Sequence, residues 1–249
     1  MIKIPTSLFI IFFVQLLAIE VTAQISVTTN NNKGFTTNNP FNTDVFVENL
    51  GQFNAWVTTS KPIKYVVNNN DKIFFTQQGL TFKLEKWEKI TDKEEHKNEE
   101  EEHNRKTEIY YIHLHWEGSN PNANIITSQE TNNYYTFGEQ GYENIKAKGY
   151  KKITYKNIYP NIDVEYTIPE KGGIKYQIKL HTGADASLVK MHYTGAVKKI
   201  NISPNGDATI ETPAGTITDH APKTFYESTQ QVIASAFQVK KQHHFICIG

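Results

Sequence analysis

The chain has 249 residues with 26 basic and 26 acidic side chains, so its formal charge is zero. That excludes a nucleic-acid module that works by releasing counterions from phosphates, and 12% aromatic content excludes a disordered acidic segment. The single Cys247 excludes a disulfide framework and a cysteine-built zinc site.

Residues 1–23 predict a secretory signal peptide. Lys3 supplies the positive start, and Leu8 to Val14 is unbroken apolar, extended by Leu16 to Ile19. Val21-Thr22-Ala23 then places modest side chains before a cleavage point, with Gln24 as the new N-terminus. A membrane-spanning helix needs about 20 apolar residues, and this run is shorter and interrupted by Gln15 and Glu20. Cleavage removes Lys3 and Glu20 together and leaves a neutral chain with no second long apolar run. Residues 24–43, rich in Asn and Thr, lack apolar periodicity and read as a flexible lead.

From Val45 onward, short β-branched and aromatic runs alternate with Gly, Pro, Asn and Asp clusters. Ile63–Val67, Ile73–Phe75 and Leu80–Glu85 predict a meander, with Leu80, Phe82 and Leu84 on one face. Residues 89–107 interrupt it with a charged insertion, read as a solvated loop; it has no Gly or regular Asp spacing for a calcium site. Strands are next expected at Ile109–Trp116, Tyr134–Phe137 and Tyr150–Tyr155. Ile162–Ile168 and Ile174–Leu180 flank Pro169-Glu170-Lys171-Gly172-Gly173 as a hairpin. Ala184–Leu188 allows one helical turn, and Leu188–Tyr193 is a further strand. Ile200–Ile202 and Ala208–Ile210 flank a turn with Asn205-Gly206 at its centre. Thr216–Thr218, Phe225–Ser228, Val232–Lys240 and Phe245–Ile248 complete the set. No segment sustains a 3.6-residue period. The expectation is an all-β, antiparallel sandwich or pair of packed sheets, with about a dozen strands, little helix and a single domain over residues 44–249.

Phe46-Val47-Glu48-Asn49-Leu50-Gly51-Gln52-Phe53, Gly79-Leu80-Thr81-Phe82, Tyr155 to Tyr166 with Tyr159-Pro160-Asn161-Ile162-Asp163 at its centre, Gly172 to Tyr176 and Gly183-Ala184-Asp185 occur in that order. Together they resemble the N-terminal domain of unknown function of large secreted surface proteins of gliding Bacteroidetes, in which SBBP-type β-propeller repeats, PKD-like domains and a gliding-motility-associated C-terminal sorting domain follow. The resemblance implies an extracellular β-rich module and brings no catalytic residues. It also implies a closing strand with an Ile-Asp-Pro-like run, so the domain is expected to be cut short in its last strand at Gly249.

Candidate chemistry is sparse. Asp163 and Glu165 point the same way from one strand, as a glycosidase pair would not, and read as the polar face of an edge or half-exposed strand. His113 and His115 share a face and need a converging third ligand to hold a metal; His243-His244 point to opposite faces. No serine-nucleophile elbow, zinc-protease helix or phosphate loop occurs. Phe41, Phe53, Trp56, Tyr134, Tyr135, Phe137 and Tyr142 are either packing groups or, around Asn132-Asn133-Tyr134-Tyr135, a surface for stacking on sugar rings. The expected function is therefore an exported, non-enzymatic structural or adhesive module, periplasmic, cell-surface or extracellular. No catalytic, cofactor or metal residues are expected; the partner is a surface glycan or another surface domain, not nucleic acid. The alternatives are a carbohydrate-binding or carbohydrate-active protein and a truncated remnant.

Overall fold

The computed structural model describes residues 19–29, 43–68, 72–87, 107–137, 141–169, 173–240 and 245–248. The expected charged loop up to residue 106, the turn centred on Asn69 and Asn70, His243-His244, Phe41 and most of the predicted signal peptide lie outside these residues. The described residues form eighteen strands and one turn of 3-10 helix. The strands begin with β1 (Ile19–Thr29), β2 (Thr43–Glu48), β3 (Tyr65–Asn68), β4 (Lys72–Thr76), β5 (Gly79–Trp87) and β6 (Thr107–Trp116). They continue with β7 (Asn124–Tyr135), β8 (Ala147–Tyr159), β9 (Ile162–Thr167), β10 (Ile174–Leu180), β11 (Lys190–Gly195) and β12 (Lys199–Ile202). Last come β13 (Ala208–Thr212), β14 (Gly215–Asp219), β15 (Lys223–Tyr226), β16 (Val232–Ile233), β17 (Phe237–Lys240) and β18 (Phe245–Ile248). The helical turn, Ala186–Leu188, is capped by the Asp185 carboxylate accepting from the Ser187 N–H.

Every described pairing is antiparallel, so the expected all-β class and antiparallel arrangement hold, with eighteen strands among the described residues where about a dozen were expected. One layer runs β17–β18–β11–β6–β5–β4–β3–β2. The other runs β9–β10–β1, after which β14 and β15 lie end to end along the far side of β1. Strand β8 joins the layers: Gly149 and Tyr150 pair with β2, Lys152 to Tyr159 pair with β9, and β7 follows its opposite side. At the far ends β12 and β17 come into contact without backbone pairing, so the ladder does not close into a barrel.

Burial explains why the layers meet. Strict alternation in β10 puts Ile174, Tyr176, Ile178 and Leu180 into the core, and β6 contributes Ile112, Leu114 and Trp116. The facing layers interlock through rings: Phe75 packs edge-on to Tyr166 with centroids 5.3 Å apart, and Trp116 to Tyr176 at 5.9 Å. Two polar tips find partners across the gap. The Trp116 Nε1–H donates to the Tyr166 hydroxyl at 2.9 Å, and the Tyr155 hydroxyl donates to the Thr76 carbonyl at 2.6 Å. Strands β2, β3 and β4 read as unbroken apolar runs because both faces are covered. Phe46, Val67, Ile73 and Phe75 enter the main core, while Val45, Val47, Val66 and Phe74 enter a second cluster closed by Phe53 and Val57 from the β2–β3 connection.

Two strands differ from expectation. Strand β7 is mostly exposed, with little hydrophobic alternation in Thr127 to Asn133, so only its Tyr134-Tyr135 end was legible as a strand. Strand β1 spans both the expected cleavage point and the start of the expected flexible lead, because Ile19 to Thr29 finds backbone partners on both sides, in β10 and in β14 and β15.

Candidate functional site

Strand β9 lies between β8 and β10, not at an edge, and both its faces are buried. Asp163 and Glu165 are only 1% and 7% exposed, which corrects the expected polar face of an edge or half-exposed strand. The covering is supplied by neighbours. Asp163 Oδ2 accepts from Lys156 Nζ and lies 2.8 Å from His181 Nε2, and Oδ1 accepts from the Asn157 N–H at 2.8 Å. Glu165 is held by Lys152 Nζ at 2.8 Å and Lys179 Nζ at 3.3 Å. Burial pushes both carboxyls up, but these donors outweigh it and hold both below the usual carboxylate range. The stability each contributes is therefore present above the ordinary carboxylate pKa and lost as the pH falls through the depressed value. Asn157 adopts a left-handed backbone, φ 49°, within the irregular stretch of β8 between Tyr155 and Tyr159. Asp163 thus works as a clamp on that irregularity. Asp163→Ala is expected to cost about 2–3 kcal/mol, since hydrogen bonds to charged groups contribute about 1.5–3; urea unfolding checks it, and an unchanged midpoint would contradict the clamp.

The histidines form a second cluster. His113 and His115 stack with centroids 6.1 Å apart, and His192 of β11 sits opposite His115 in register. His113 Nδ1 lies 2.8 Å from Thr81 Oγ1, and His192 Nδ1 lies 3.5 Å from Glu117 Oε2. His113 and His115 border a cavity of about 180 Å³ whose other walls include Thr58, Thr59, Ser60 and Thr81. Among the described residues no group of three or more His, Cys, Asp or Glu side chains is placed to hold a metal ion. Burial, then the neighbouring imidazole, lowers the pKa of His113; burial and His192 lower that of His115 against an opposing pull from Glu117. Both rings are expected to titrate below 6.5 in a proton NMR series, with stability lost as the pH falls through those values. Midpoints above 6.5 would contradict the burial.

Most of the aromatic residues flagged in the sequence are packing groups. Phe53 is buried, Trp56 packs edge-on to it at 4.9 Å, and Phe137 does the same at 5.2 Å. Tyr134 and Tyr135 point apart: Tyr135 packs on the second cluster, while Tyr134 is 58% exposed with Lys146 Nζ 5.0 Å from its ring centroid. A paired stacking platform is therefore absent from the described residues around Tyr134.

The motif residues have internal tasks. Asn49 Oδ1 accepts from the Gly51 and Phe53 amides, and its Nδ2 donates to Asn54 Oδ1 and the Ile63 carbonyl. Gln52 Oε1 accepts from the Leu50 N–H and its Nε2 donates to the Glu48 carbonyl. Gly51 has φ +117°, which side chains resist. At Gly79 a Cβ would sit 1.9 Å from the Leu114 carbonyl oxygen, so the β5–β6 approach requires glycine.

One buried group escaped the sequence reading. Asp219 is 0% exposed; its Oδ2 accepts from the Tyr176 hydroxyl at 2.9 Å, while Oδ1 and the Tyr193 hydroxyl have no partner. Burial drives its pKa well above 3.8, so it holds its proton where an exposed aspartate has lost it. The strand pattern did hold a signal: Asp219 lies two residues after the buried Ile217, on the same face, with Thr216 and Thr218 on the other.

A family model described as a domain of unknown function, DUF7948, matches residues 46–248, and the chain belongs to that family. No curated protein matches the chain. No solved structure matches it either. No helix among the described residues is long and apolar enough to cross a membrane.

Proposed function

We propose that the chain is an exported, non-enzymatic β-rich module, the structural or adhesive part of a cell-surface protein. Its setting is the one its motifs resemble, at the head of a secreted Bacteroidetes protein carrying SBBP-type repeats and gliding-motility-associated sorting signals. One observation carries the reading: Asn49, Gln52, Tyr155, Tyr159 and Tyr166 of the motifs, together with both candidate carboxylates, are committed to internal bonds. Asn49 and Gln52 tie a loop, Asp163 and Glu165 are neutralised by lysines, and Tyr155, Tyr159 and Tyr166 bridge to other strands. A glycosidase needs two carboxyls flanking a cleft, one of them free to donate or attack, and here both lie on one covered strand. The leader-like residues 1–23 support export.

Fractionation of the native cell tests the proposal. The chain is expected in the envelope or medium, cleaved at Gln24 and inert on a panel of glycosides. Intact leader on protein recovered from the cytosol, or turnover abolished by Asp163→Asn with the fold retained, would contradict it.

A further inference from the structure

Strand β1 is paired on both sides along its first half. Ile19 to Ala23 oppose Leu180 to Tyr176 of β10, and Ile19 to Thr22 oppose Tyr226 to Lys223 of β15. Among the described ladder pairings none joins β10 to β14 or β15, so β1 alone links the β12–β16 region to the rest of the layer by backbone pairing, beside the side-chain bond from Tyr176 to Asp219. The leader junction predicted from Val21-Thr22-Ala23 falls inside this strand. Cleavage there leaves Gln24 to Thr29 on Lys175, Ile174 and β14, and vacates the segment between Tyr176–Leu180 and Lys223–Tyr226.

Resting on the exported reading, we propose that this vacated segment is a strand-acceptor slot, filled in the cleaved protein by an extended segment of another polypeptide. Its chemistry follows from the register of the strand that now fills it. Positions 19, 21 and 23 oppose Leu180, Ile178 and Tyr176, which are buried, whereas positions 20 and 22 oppose Lys179 and Gln177, which are half-buried on the outer side. The slot therefore takes about five residues, apolar at alternate positions and antiparallel to both edges, and bonds their backbone on two sides. An open edge of this kind is the feature through which sheets recruit a further strand.

The test starts with the intact mass of the exported protein, which reads the cleavage, and continues on that same protein with a synthetic peptide of sequence Ile19–Ala23. The peptide is expected to raise the melting temperature in a concentration-dependent manner. A peptide carrying Val21→Asp is expected to lose at least tenfold in affinity, and one carrying Thr22→Asp to bind nearly as well. Cleavage at Gln24 with no effect of the peptide overturns the slot while leaving export standing. A leader retained through Ala23 on the exported protein overturns the slot, because Ile19 to Ala23 then stay in place; export itself is contradicted only when that uncleaved protein is recovered from the cytosol. Self-association of the cleaved chain that blocks the peptide overturns the foreign strand, because a second copy then fills the site. Should the cleaved chain melt without cooperativity, recovery of a cooperative melt on adding the peptide supports the slot, and failure to recover counts against it.

Discussion

Trp116→Ala is expected to destabilise the domain by about 3–5 kcal/mol, the range for removing a large buried ring. Trp116 is 1% exposed, packs edge-on to Tyr176, and donates its indole N–H to the Tyr166 hydroxyl. Its strand, β6, belongs to one layer, while Tyr166 and Tyr176 belong to the other. The substitution therefore opens a cavity at the layer interface and strips a buried hydroxyl of its donor. At about 2–4 °C per kcal/mol for a domain of this size, the melting temperature should fall by roughly 10 °C. Calorimetry checks it, and a fall of only a degree or two would mean that the layers are not held together through this ring.

Asp219→Asn is expected to act in the opposite direction. The wild-type carboxyl, pushed well above 3.8 by burial, keeps its proton in the folded protein after the unfolded chain has lost its own. Its contribution to stability is fully present below that ordinary value and is lost as the pH rises from there through the folded pKa. Within that window the wild type loses about 1.4 kcal/mol per pH unit from this group. The amide of the variant still accepts from Tyr176 and never ionises. Urea midpoints at pH 5 and pH 8 should show the variant gaining on the wild type as the pH rises; the other titrating groups, the clustered histidines among them, are common to both chains. Parallel curves, or a variant weaker at both values, would contradict a protonated Asp219.

How much of this was legible in the sequence depended on how each strand is buried. Where one face meets the core, as in β9 and β10, period-two alternation located the strand and its inward residues, Ile162, Val164, Tyr166, Ile174 and Tyr176. Turn chemistry fixed the β12–β13 hairpin at Asn205-Gly206. The polar and largely exposed β7 gave no hydrophobic signal over most of its length, and β1 sits in a stretch whose composition reads as leader and linker. The candidate site was misjudged for a related reason. Alternation correctly puts Asp163 and Glu165 opposite the core, but whether that face is wet depends on Lys152, Lys156, Lys179 and His181, which neighbouring strands and the segment after β10 bring over it. Alternation with Ile217 turns Asp219 inward, but its partner, Tyr176 of β10, lies far away in the chain and could not be read from the strand itself.

A double-mutant cycle between Trp116→Phe and Tyr166→Phe tests most directly the claim that the motif residues serve the fold. Each single change removes one side of the 2.9 Å bond across the layers, so the cycle isolates that contact. Chemical unfolding should return a coupling of about 1 kcal/mol or more between the two sites. Strictly additive effects would show that Tyr166, within the Tyr155–Tyr166 motif, does not join the layers through Trp116.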